Sequence, residues 1–106
     1  MSGINAFNQA IIDHEFVEAH ELLEHDWKDL KKAGKKEEAK ALKGLINGAT
    51  ALALYHIKNR PDAYVRIWEV FKKYEPLLQS VQLDNLEKYQ EAARLLNSKN
   101  EELVPK

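Results

Sequence analysis

A chain of 106 residues, 44% of them hydrophobic, is long enough to bury one core and too short for a second. Its 16 Lys and Arg against 17 Asp and Glu leave a formal charge of −1, which offers no global field to nucleic acid or an anionic membrane, so neither is expected as a partner. No cysteine is present, which removes disulfides, thiolate nucleophiles and Cys-based zinc sites and leaves His, Asp and Glu as the available metal donors. Met1-Ser2-Gly3-Ile4-Asn5 lacks the basic-then-apolar pattern of a signal peptide, so one soluble cytoplasmic domain over residues 1–106 is expected.

Four Gly, three Pro and abundant Ala, Leu, Glu and Lys predict helix nearly throughout and no strand. Ile4, Phe7 and Ile11 recur at helical spacing behind Ser2, a candidate N-cap, and predict a first helix over about 3–12. Asp13-His14 reads as a tight turn, with Asp13 as a candidate cap for the next helix. A second helix over about 15–33 should carry Phe16, Leu23, Trp27 and Leu30 inward and stop at Lys31, Lys32 and Gly34.

The third helix, about 36–58, contains an uncharged run from Gly44 to Ile57 that is too short for the roughly 20 residues of a membrane crossing, so burial by other helices is expected. Gly44, Gly48, Ala49, Ala51 and Ala53 would let those neighbours approach closely. Pro61 suits the first turn of a fourth helix striped by Tyr64, Ile67, Phe71 and Tyr74, and Pro76 should end it. A last helix capped near Asp84 should bury Leu86, Tyr89, Ala93 and Leu96. The Lys-rich stretch from Lys28 to Lys43, interrupted by Asp29, Glu37 and Glu38, reads as a solvated helix-turn-helix corner.

Within Phe16-Val17-Glu18-Ala19-His20-Glu21-Leu22-Leu23-Glu24-His25-Asp26-Trp27, projection at about 100° per residue places His20 and Glu24 on the apolar side and His25 on the solvent side. His56 falls in the middle of the third helix's apolar stripe, so burial of His20, Glu24 and His56 is expected. If the second and third helices form an antiparallel hairpin about Lys35, His56 lies level with about residue 14, some 9 Å from His20 at about 1.5 Å per residue. The lean of helical side chains toward their own N-termini would have to close that gap.

Three readings compete. In one, an imidazole donates to a carboxylate across the interface and the cluster is purely structural. In another, His20, Glu24 and His56 bind a divalent metal such as zinc and Glu21 is the general base for its water, although Glu24 stands where the His-Glu-x-x-His zinc motif has its second His. In the third, the chain is a binding module with Trp27, Tyr55, Tyr64 and Trp68 lining a groove for a small molecule or peptide.

The segment from Phe16 to Trp27 resembles the signature of the domain of unknown function 309 family. Lys43-Gly44-Leu45-Ile46 and the Ala-rich helix ending at Tyr55-His56, with Asn59 beyond it, resemble that family's second block, so the likeness covers about residues 5–70. It implies a small all-helical protein catalogued with predicted metal-dependent hydrolases, and it carries His20, Glu21, Glu24, His56 and Trp27 over as motif residues. Asn47 departs from it, standing where the family has Gln.

The combined expectation is an all-α, single-domain bundle of about five helices with a central His-bearing hairpin. Its site would be His20, Glu24 and His56 with Glu21, a metal or small-molecule site that would serve a hydrolase; the alternative is a non-catalytic interaction module in which these residues are structural. A small-molecule substrate is the expected partner, and an exposed face containing Leu22 could pair copies of the chain.

Overall fold

The computed structural model describes residues 3–105, so the expected cap at Ser2 lies outside the described residues. The chain is an all-α bundle wrapped around one long helix. Helix α1 (Ile4–Ile12) buries Ile4, Phe7 and Ile11, the residues its spacing selects, against α2 and α6. Asp13 does not cap the next helix; it closes α1, and its carboxylate accepts from the Gln9 side-chain amide.

The second expected helix is divided into α2 (Phe16–Leu22) and α3 (Glu24–Lys32). Leu23 stands between them with φ −101° and ψ −7°, fully buried, and its carbonyl still accepts from Trp27 N–H at 3.0 Å. The N-terminal segment is seated on this break. Gly3 N–H donates to the Asp26 carboxylate at 2.8 Å, and a Cβ on Gly3 would stand 2.2 Å from the Leu22 carbonyl oxygen. Glu24 and Asp26 fall in the first turn of α3, where free backbone N–H groups favour carboxylates.

Helix α4 (Lys36–His56) is the central element, in contact with α2, α3, α5 and α6. Ala41, Leu42, Leu45, Ile46, Ala49 and Leu52 give it a broad buried face. Its small residues act as expected: a Cβ on Gly44 would lie 2.9 Å from the Cβ of Tyr74, and one on Gly48 would lie 2.8 Å from Leu96 and 3.2 Å from Phe71. Neighbouring helices therefore sit closer than any larger residue would allow, and that packing offsets the helix penalty of glycine.

The α4–α5 turn closes with Asn59 in the left-handed region (φ +55°) and Arg60 N–H donating to the Leu54 carbonyl at 2.7 Å. Helix α5 (Pro61–Tyr74) starts on its proline and gives way to a 3-10 turn, Glu75–Gln79, that contains Pro76. Helix α6 (Leu86–Leu103) starts two residues beyond Asp84. Asn85, in the left-handed region at φ +59°, turns the chain into the helix without a side-chain cap, a conformation that Asn tolerates better than most residues. Among the described residues no helix is long and apolar enough to cross a membrane.

Candidate functional site

His20 and Glu24 form the expected pair, but on the shoulder of the bundle rather than inside it. His20 Nε2 stands 3.5 Å from Glu24 Oε1, with the two side chains 32% and 39% exposed. The ring is held by its own helix: Nδ1–H donates to the Val17 carbonyl at 2.8 Å, which fixes the proton on Nδ1 and turns Nε2 toward Glu24. Glu24 is also 3.9 Å from the Lys28 ammonium. The pair keeps its i, i+4 contact across the break at Leu23, while Leu23 itself, and not the pair, is the fully buried residue there.

His56 is exposed, which corrects its expected burial. Projection reports the direction a side chain takes around the axis, not its height along it. The buried face of α4 stops at Ala53, while His56 ends the helix and Ile57 beyond it is 48% exposed. The ring of His56 meets His14 edge-on, 5.6 Å between centroids, and Phe16 at 6.0 Å, while His14 stacks on Phe16 at 5.6 Å. His56 thus stands level with residue 14, as the hairpin arithmetic predicts, and the lean of the side chains does not bring it to His20.

His14 Nε2 in turn lies 3.3 Å from Glu102 Oε2 at the end of α6. Glu21 is exposed, outside both clusters, and in no ion pair among the described residues. Among the described residues no three His, Asp or Glu side chains are grouped so as to hold a metal ion, so His20, Glu24 and His56 do not form one ligand set. His14 is the member of this end that residue-by-residue reading misses, although the hairpin register points to its position. His25, as expected, faces solvent, 84% exposed, 3.4 Å from Asp29.

The aromatics expected in one groove fall in two places. Tyr55, Tyr64, Trp68 and Phe71 form a ladder with successive centroid distances of 5.3, 6.0 and 4.8 Å that leads into the core. The Tyr64 hydroxyl donates to Asn100, and burial pushes its pKa above the usual 10.0. Trp27 stands apart, half-buried, where α3 meets α4.

Trp27, Ala39 and Tyr74 form the apolar part of an open cavity of about 370 Å³ whose remaining lining is Lys31, Lys36, Lys40 and Lys43. Lys31 and Lys43 hold their ammonium groups 4.6 and 4.3 Å from the centre of the Trp27 ring. The spacing that builds this rim is visible in the chain. Lys36, Lys40 and Lys43 recur at i, i+4 and i+7 along α4, and Lys31 is one turn beyond Trp27 on α3. A second cavity of about 500 Å³, between α3 and the segment that leads into α6, is polar, with His25, Asp26, Asp29 and Asp84 in its lining.

A small helical bundle with a paired His20–Glu24 shoulder, a separate histidine end and a lysine-rimmed aromatic groove is the class these features define. The chain belongs to the family described as Domain of unknown function (DUF309), which matches residues 2–67. The match runs from the N-terminal segment into α5 and leaves α6, with Asn100 and Glu102, outside it. No curated protein and no solved structure matches the chain.

Proposed function

We propose that the chain is a non-catalytic helical binding module whose ligand site is the groove formed by Trp27, Ala39 and Tyr74, with the His20–Glu24 pair in a structural role. The observation that carries this reading is the groove itself. Its volume of about 370 Å³ suits a small molecule, and its aromatic walls stay open to solvent on a molecule whose other aromatic ladder runs into the core. A metal-dependent hydrolase would need about three protein donors around one ion with a position left for water. His56 stands with His14 instead, which favours the module reading over catalysis at His20, Glu24 and Glu21.

Titration with the neutral fluorescent aromatic N-phenyl-1-naphthylamine tests the proposal. Saturable binding to one site per chain is expected, weakened about tenfold or more by Trp27→Ala and unchanged by His20→Ala. Circular dichroism checks that both variants are folded. Absence of saturable binding, or binding indifferent to Trp27→Ala, would remove the module reading. A stoichiometric metal retained through chelator-free purification and lost in His20→Ala would restore the hydrolase.

A further inference from the structure

We infer that the groove is selective for anions: its occupant is a small amphiphile with an aromatic or aliphatic body and one carboxylate, sulfonate or phosphate group. This rests on the groove being a binding site and adds the chemical class of its ligand. Four of the seven lining residues are lysines and none is acidic. Among the described residues none of Lys31, Lys36, Lys40 and Lys43 forms an ion pair, whereas Lys28, Lys72 and Lys99 elsewhere all meet carboxylates. Residues 31–43 hold six lysines and two glutamates, a local charge of +4 in a chain of net −1. The positive charge is therefore concentrated at this corner rather than spread over the surface.

The arrangement also places like charges against each other. Lys31 from α3 and Lys43 from α4 converge on one indole, so their nitrogens lie within about 9 Å of one another, close to the screening length of about 8 Å at physiological ionic strength. The ring quadrupole attracts each cation but does not neutralise either. An anionic group seated between them would. Its apolar body would lie on Trp27, Ala39 and Tyr74 and along the methylene stems of the lysines. A neutral aromatic ligand would use the same floor and leave the cations unanswered.

A matched probe pair separates this inference from the reading beneath it. 8-Anilinonaphthalene-1-sulfonate carries the same anilinonaphthalene skeleton as N-phenyl-1-naphthylamine and adds one negative charge. With the full chain at about 0.02 M salt, the sulfonate is expected to bind about tenfold tighter than the neutral probe, and the advantage should shrink as salt rises to about 0.5 M. The double variant Lys31→Gln, Lys43→Gln should remove most of the advantage, read as the ratio of the two probes' affinities for the same variant, so that any change in the shared apolar floor cancels. If that variant loses its fold by circular dichroism, Lys36→Gln with Lys40→Gln, both on the exposed rim, gives the same readout.

Equal binding of the two probes, or a sulfonate advantage that survives both lysine double variants, overturns the anion selectivity and leaves the groove as a binding site. Failure of both probes to bind overturns the groove and this inference together.

Discussion

At the α3–α4 turn Gly34 occupies the left-handed region at φ +77°, and at the α1–α2 turn His14 takes the same place at φ +61°. The hydrogen bonds correspond one to one. Gly34 N–H donates to Lys31 and Lys35 N–H to Leu30, at 3.1 and 3.0 Å; His14 N–H donates to Ile11 and Glu15 N–H to Ala10, at 3.2 and 2.8 Å. Both are Schellman closures, in which the left-handed position favours glycine. A Cβ on Gly34 would meet nothing within 4 Å, so that turn is open. His14 instead fills its turn with a ring that stacks on Phe16, meets His56 and reaches Glu102.

The backbone asks for glycine in both turns, and side-chain contacts override it in one. The left-handed conformation costs an L-residue about 1–2 kcal/mol. At His14 that cost is offset by contacts tying the α1–α2 turn to the ends of α4 and α6. No such contacts form at the Gly34 turn, beside which the lysine-rimmed groove lies. The histidine end is thus a packed clasp and the glycine end an open surface.

The largest way to break this contrast is Phe16→Ala. Phe16 is fully buried and carries the rings of His14 and His56, so a loss of about 3–5 kcal/mol is expected in urea unfolding. The native protein should keep its groove affinity for N-phenyl-1-naphthylamine. A groove that fails along with the clasp would show that the two ends are not independent.

The turns themselves give the next effect. Gly34→Ala should cost about 1–2 kcal/mol, purely through the backbone, since the new Cβ meets open space. At position 14 both Gly and Ala remove the ring, but only Gly relieves the left-handed penalty, so His14→Gly should be more stable than His14→Ala by about 1 kcal/mol. The opposite order in urea midpoints would remove the backbone account of the comparison.

The smallest effect is confined to alkaline pH and concerns Tyr64, whose hydroxyl bonds Asn100 two residues before Glu102. Its folded-state pKa lies above the unfolded 10.0, so the native chain holds the proton more tightly. That contribution is fully present below pH 10.0 and is lost as pH rises through the folded value, so stability falls with pH there. Tyr64→Phe should flatten the alkaline limb of the stability curve and leave its slope near neutral pH alone.

Much of the fold is written in local pattern. Periodicity places α1, α4 and α5 to within a residue or two, Pro61 and Gly34 mark the ends they should, and the glycines of α4 stand where α5 and α6 approach. The site is legible in part. The His20–Glu24 pair follows from its i, i+4 spacing, and hairpin arithmetic puts His56 beside residue 14. The exposure of His56 is not legible, because a stripe on a helix continues past the point where neighbours stop covering it. The lysine corner is legible as charge, but not as the rim of a groove, because Trp27 belongs to another helix.

The sequence by itself determined an all-helical chain, a central helix with a small-residue face and the positions of its turns, all consequences of side chains acting within a few residues of one another. Only the tertiary structure decided that the second helix breaks at Leu23, that His56 joins His14 rather than His20, and that four lysines from two helices rim the groove at Trp27. These depend on how far each helix extends past its neighbours and on where a buried leucine interrupts one, and no single helical stripe carries that information.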